Sequence, residues 1–158
     1  MPATEKPTAE VSTVVEPTAE TPAAEALDRA LARVAKAVIT AYALGDTPTV
    51  LALAHPDAAF RFPGDPAVLP WAGSYRGDEM ARFHDRVKDH LDMLAFTAER
   101  YEVHGDTVLV FMRETCRVKL TGRVFENEMV GLMTIEAGRV RRYLEYSDTA
   151  RMEAAFGP

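Results

Sequence analysis

The chain has 158 residues, of which 47% are hydrophobic, with a formal net charge of −6 and one cysteine. That length suits a single domain with a buried core, and the lone Cys116 excludes an internal disulfide or a cysteine-built metal site. Residues 1–25 hold five glutamates against Lys6, which is −4 of the total and leaves −2 for the body, so the basic footprint of a nucleic-acid binder is missing.

Residues 1–22 are Pro, Thr, Ala, Glu and Val with almost nothing to bury, and PTAE occurs twice. Such a composition cannot offset the entropy of ordering, so a disordered acidic tail is expected over 1–22 and a folded domain over 23–158. No apolar run approaches the roughly 20 residues of a membrane span. The start lacks a basic region followed by an apolar core, which makes cytoplasmic residence the expectation.

From Pro22 onward Leu27, Leu31, Val34, Val38 and Ala41 or Tyr42 recur at helical spacing, and Gly45 ends the helix. Asp46 or Thr47 caps a short second helix with Val50, Leu51 and Leu53 on its apolar face; His55-Pro56-Asp57 is expected to end it. A strand is expected from Ala58 to Phe62. Residues 63–77 read as a long loop carrying Trp71 and Tyr75, and long loops in small domains are often functional. Gly77-Asp78 opens a third helix with Met80, Phe83 or His84, Val87 and Leu91 as its buried stripe. Strands are expected at Leu94–His104 and Thr107–Leu120. A hairpin then runs through Met129, Gly131 and Met133, turns at Glu136-Ala137-Gly138, and ends at Tyr143–Asp148. Asp148 or Ser147 caps a last helix through Ala155. Helices first, then antiparallel strands joined by tight turns, is an α+β order.

Alternation on the last strand puts Arg141, Tyr143, Glu145 and Ser147 on one face, with Val140, Arg142, Leu144 and Tyr146 on the other. Glu145 either lies desolvated in a pocket, with its pKa raised toward neutrality, or pairs with an arginine on a neighbouring strand. Asp148 opens a helix and reads first as its N-cap, with an acid role as the alternative. Arg113 shares a face with Leu109, Phe111 and Thr115. If that face points inward, Arg113 can hold Glu145 ionised or stabilise an oxyanion; if outward, it is a surface or dimer charge. His84 is a candidate proton shuttle at the edge of a helical stripe. His55, His90 and His104 fall at element ends, and no HxxxH or HxH spacing points to a metal. Tyr42, Trp71, Tyr75 and Tyr143 combine apolar surface with a polar tip suited to a ligand carbonyl. Asn127, Met129 and Met133 alternate on the penultimate strand, where methionines make an adaptable wall. Serine-hydrolase, P-loop and dinucleotide glycine patterns do not occur.

Gly45-Asp46 after the first helix, WAGSYRG at 71–77 before the third, and the Glu136–Gly138 turn leading into EYSD at 145–148 resemble the SnoaL-like branch of the nuclear transport factor 2-like superfamily. The resemblance covers about residues 24–157. It implies an α+β cone, a curved antiparallel sheet wrapped around three N-terminal helices and closed by a C-terminal helix, with an apolar pocket. It also implies that the Tyr143–Glu145 face lines that pocket, together with Phe62 and Phe111. The ketosteroid isomerase acids and tyrosine would fall at Phe62, Gly131 and about Val38, and the Arg-x-Asp pair of limonene epoxide hydrolase at Met129 and Gly131. Both of those activities are therefore disfavoured. Polyketide cyclases of the SnoaL type need only an acid on or after the last strand, which Glu145 or Asp148 meets. The expectation is a cofactor-independent, metal-free acid/base enzyme of isomerase, cyclase or hydrolase type, acting on a small apolar carbonyl- or epoxide-bearing molecule. Its catalytic set would be Glu145, Asp148, Arg113 and His84. The alternative is a non-catalytic binding or dimerisation module of the same fold. The resemblance further implies a homodimer.

Overall fold

The structure is a computed structural model and describes residues 21–157. Most of the expected acidic tail lies outside the described residues. Its last two positions belong to the first helix: Pro22 begins α1 (Pro22–Ala43), and the Thr21 side chain accepts a hydrogen bond from the Ala24 amide at 3.3 Å. A hydroxyl cap followed by proline suits a helix start, because both deal with amides that have no partner in the first turn. Leu31, Ala35, Val38 and Ile39 form the buried stripe. Leu27, expected to share it, is 57% exposed on the second turn of the helix.

Gly45, in the left-handed region at φ 69°, turns the chain into α2 (Thr47–Leu53), whose N-cap Asp46 accepts from the Thr49 amide. The chain leaves α2 earlier than expected. His55-Pro56-Asp57 lies within strand β1 (Ala54–Phe62), as extended backbone and not as a helix end. The expected 63–77 loop also contains a strand, β2 (Gly73–Arg76), paired antiparallel with β1. A 3-10 turn at Gly77–Glu79 leads into α3 (Met80–His90), and β3 (Leu91–His104) starts directly from that helix. β4 (Thr107–Val118), β5 (Val124–Glu136), β6 (Arg139–Ser147) and α4 (Thr149–Phe156) complete the chain.

The six strands form one sheet in the order β2-β1-β6-β5-β4-β3. All neighbours are antiparallel except β1 and β6, which run parallel. The last strand is thus interior, between β1 and β5, so its inward side chains reach the middle of the core. The fold is an α+β cone with a curved open sheet around the helices, as expected. Strands β4 and β5 bury alternate residues, Val108, Val110, Met112, Glu114, Cys116 and Val118 on one and Phe125, Asn127, Met129, Gly131, Met133 and Ile135 on the other. The period of two means that this series alone meets the helices.

Candidate functional site

A cavity of about 700 Å³, counted to its open mouth, lies between the sheet and helices α1, α3 and α4. Its wall is mainly apolar: Phe60, Phe62, Trp71, Phe83 and Phe96 supply aromatic faces, and Met80, Met112, Met129, Met133 and Met152 supply unbranched, adaptable ones. Phe62 stacks on Phe83 with ring centroids 3.7 Å apart, and Trp71 packs against Phe156 of α4. The polar groups in the wall are few: Tyr42, His84, Glu114, Tyr143 and Glu145. Among the described residues, no lysine or arginine lines it.

Glu145 reaches the cavity from β6, and Tyr143 lies two residues before it on the same side. The Tyr143 hydroxyl donates to Glu145 Oε2 at 3.0 Å. Burial pushes the Glu145 carboxyl up to about 8, with the Glu114 charge adding to the rise and the Tyr143 bond opposing it. Glu145 is therefore largely protonated at neutral pH and can donate a proton. Burial, with the nearby carboxyls, also holds the Tyr42 and Tyr143 phenols well above the usual range, so both stay neutral donors.

Glu114 was not among the residues singled out from sequence. It enters from β4, 7% exposed, and Asn127 Nδ2 donates to its Oε1 at 3.3 Å. Its pKa is raised by burial and held back by hydrogen bonds from Asn127 and Cys116. The sequence did hold a signal, an acid in register with Val108, Val110, Met112, Cys116 and Val118. The opposite register, Leu109, Phe111, Arg113 and Thr115, was also apolar enough to follow.

That opposite register faces outward. Arg113 lies on the outer face of the sheet, 3.0 Å from Glu128 and 3.4 Å from Glu99, and has no place in the cavity wall. Phe111 is beneath the Arg100 guanidinium, 3.9 Å from ring to cation, on the same outer face. Neither is positioned to touch a ligand in the cavity. Arg141 is likewise outside. Thr134 pairs with Arg142 but Ile135 with Val140, and this bulge leaves Arg141 unpaired on β5. Val140 turns inward in its place at 1% exposure, while Arg141 pairs with Glu136 and donates to the Asp57 carbonyl.

Asp148 caps α4, accepting from the Arg151 amide at 3.1 Å, and its side chain is on the exposed side near Arg151. The capping role, not the cavity, accounts for it. Asn127 is fully buried behind the wall, holding Glu114 on one side and accepting from the Asp148 amide at 3.2 Å on the other. Tyr75 is also behind the wall, its hydroxyl donating to the Trp71 carbonyl and accepting from Arg86. Tyr42, Phe62, Trp71, Met129 and Tyr143 do line the cavity.

His84 lines it too, 2% exposed, with Nδ1 in a 2.8 Å hydrogen bond with the Thr47 hydroxyl and no partner for Nε2. Burial, helped by the Lys88 charge, lowers its pKa to about 4, so the imidazole is neutral at physiological pH. Among the described residues no three His, Cys, Asp or Glu side chains are grouped to hold a metal ion, and no helix is long and apolar enough to cross a membrane.

Similar arrangements of helices and sheet occur in solved structures. An NTF2-like protein from Burkholderia xenovorans is 26% identical, with a TM-score of 0.72 over 82% of this chain and 98% of that one. An NTF2-like protein of unknown function from Burkholderia pseudomallei is 22% identical, with a TM-score of 0.74 over 82% and 98%. An LEH-like epoxide hydrolase from M. tuberculosis is 17% identical, with a TM-score of 0.63 over 82% and 91%. No match was found among curated proteins. The SnoaL-like domain family matches residues 35–143, the span from α1 to Tyr143 that builds the cavity wall except for Glu145 and α4. With more than half the chain matched and the cone in place, this protein belongs to the SnoaL-like family of the NTF2-like superfamily.

Proposed function

We propose that the protein is an acid/base enzyme acting on a small, mostly apolar carbonyl- or epoxide-bearing molecule held in the cone. One observation carries this reading: Glu145 is in an aromatic wall with its carboxyl raised to about 8, bonded on one oxygen to Tyr143. A carboxylic acid that keeps its proton at neutral pH, in a site with few other polar groups, is suited to protonating or polarising a ligand oxygen. Tyr42 is a second neutral donor in the same wall. His84 is neutral and serves as a hydrogen-bonding group, not as an acid. The apolar aromatic and methionine faces would hold the body of the substrate by burial.

The test is a thermal-stabilisation screen of apolar ketones, epoxides and polycyclic phenols, because a specific ligand raises stability by mass action. Compounds that bind are then assayed for turnover. The expected result is turnover by the wild type and loss of at least a hundredfold in Glu145→Gln, with binding kept. Equal turnover in the variant removes Glu145 from the mechanism.

A binding module without chemistry is the second reading. It is favoured by Val38 and Phe62, which put apolar side chains in the wall where an isomerase-like site would have reactive ones. Ligands that bind but are never converted by the wild type would support it. We also propose a homodimer through the outer face of the sheet. There Leu109, Leu132 and Leu144 form one cross-strand row, and Phe111, Val130 and Tyr146 the next, with Tyr146 58% exposed. Arg113 and Glu128 flank these rows with opposite charges. Sedimentation as a monomer at micromolar concentration would reject the dimer.

A further inference from the structure

We infer that the substrate is an elongated monocarboxylate, with its apolar body in the cone, its carboxylate outside at Lys88, and a hydroxyl two carbons from that carboxylate received by His84. This names a substrate class for the same site and rests on the reading of the cone as its reactive end. A second cavity, about 660 Å³ to its open mouth, adjoins the first beside α1 and α3. Tyr42, His84, Val87 and Leu91 line both, so the two cavities meet across these four side chains.

The charges decide which end of a ligand lies where. The cone wall offers acids, phenols and a neutral imidazole, so a carboxylate inside it would have no counter-ion. In the outer cavity Leu44, Met93 and Cys116 are apolar, and among the described residues Lys88 is the one charged side chain in the wall. Lys88 Nζ donates to the Gly45 carbonyl at 3.3 Å and, among the described residues, forms no salt bridge. A Cβ on Gly45 would lie 3.4 Å from Lys88 Cε, so the bare glycine lets the lysine stem lie against the rim. Leu44, 78% exposed, adds an apolar edge beside it. One ammonium balances one negative charge, which fits a carboxylate and not a doubly charged phosphate. The nearby Lys119 is engaged by Asp92 at 3.7 Å and by the Lys88 carbonyl.

His84 supplies an independent sign of a ligand. It is 2% exposed, its Nδ1 is bonded to the Thr47 hydroxyl, and its Nε2 has no partner although it lines both cavities. A ligand hydroxyl both gives and accepts, so it satisfies Nε2 in either tautomer. His84 and Lys88 are four residues apart on α3, about 6 Å along the helix axis. A carboxylate at Lys88 therefore puts the atoms near C3 of the ligand beside His84, and the rest of the chain points into the cone.

The experiment is isothermal titration calorimetry of the full chain at pH 7, where a carboxyl is ionised. Octanoate is expected to bind at least tenfold tighter than 1-octanol, and Lys88→Met to bring the two within twofold. Equal affinity in the wild type, or an undiminished preference in Lys88→Met, overturns the anionic end. From hexanoate to decanoate, affinity should rise about fourfold per methylene, as burial of the chain requires. 3-Hydroxyoctanoate should gain about fivefold over octanoate, the worth of one hydrogen bond, and lose that gain in His84→Phe. No gain in the wild type, a comparison that needs no variant, overturns the role of His84. Circular dichroism checks that each variant is folded. Carbon-13 methyl spectra locate the chain: decanoate should shift Met129 and Met133 in the cone as well as Met93 outside it. Shifts confined to Met93, or an affinity flat with chain length, overturn the passage of the chain into the cone. These arms read binding alone, so their failure leaves the acid/base reading to the turnover of Glu145→Gln, and failure of turnover leaves them standing.

Discussion

The ring of Tyr143 lies directly against Gly131: a Cβ at that glycine would come 2.6 Å from Tyr143 Cε2 and 2.7 Å from its hydroxyl. Gly131 is paired with Glu145 across β5 and β6, so the space it leaves is the space in which Tyr143 bonds Glu145. Gly131→Ala is expected to displace Tyr143, costing about 1–3 kcal/mol as overpacking does. It should also raise the Glu145 midpoint, because the lost bond favours the ionised form. Thermal melts and carbon-13 titration check both.

Tyr143→Phe separates the two effects. The ring packing against Phe60 and Phe62 is kept and only the hydroxyl goes. The expected outcome is a stability change of about 1 kcal/mol and a Glu145 midpoint above the wild-type value of about 8. A midpoint that falls would mean the hydroxyl is not donating to Glu145.

Glu145 should also make stability depend on pH. Its carboxyl in the fold titrates near 8, against 4.5 as the ordinary value. The unfolded chain therefore releases this proton first as pH rises. Stability is fully present below about 4.5, declines through neutrality, and levels off above about 8. Glu145→Gln should remove that decline and be more stable than wild type at pH 8 by up to about 4 kcal/mol. Denaturant unfolding at pH 5 and pH 8 measures the difference.

His84 is expected to act in the opposite direction. With its pKa lowered to about 4 from 6.5, its contribution is present above 6.5 and is lost as pH falls toward 4. Its ring signals in two-dimensional NMR should show no titration between pH 5 and 8. Titration with a midpoint near 6.5 would mean that the imidazole is solvated.

Asp148 and Arg113 provide the contrast. Asp148→Ala should lose a helix cap, about 1 kcal/mol, and Arg113→Ala a surface ion pair of at most about 1 kcal/mol. Neither should change turnover by more than twofold once an assay exists. A tenfold loss in either would show that the chemistry extends beyond the cavity.

The sequence alone determined the order of the helices and the long strands, narrowed the caps to Asp46 or Thr47 and to Asp148 or Ser147, and indicated the family and the shared face of Tyr143 and Glu145. These follow from local periodicity, capping chemistry and turn residues, all of which act over a few positions. It did not determine β2, because four residues in a proline- and glycine-rich stretch show no alternation until β1 pairs with them. Nor did it determine which face of β4 points inward. A period of two decides which residues travel together, but Leu109 and Phe111 are as apolar as Val108 and Val110, so only packing against the helices selected Glu114 over Arg113. The bulge that turns Arg141 out and Val140 in is likewise a property of the β5–β6 pairing. The meeting of Glu114, Glu145 and Tyr42 in one cavity was decided by the curvature of the sheet, which brings side chains from separate elements to a common space that no spacing along the chain records.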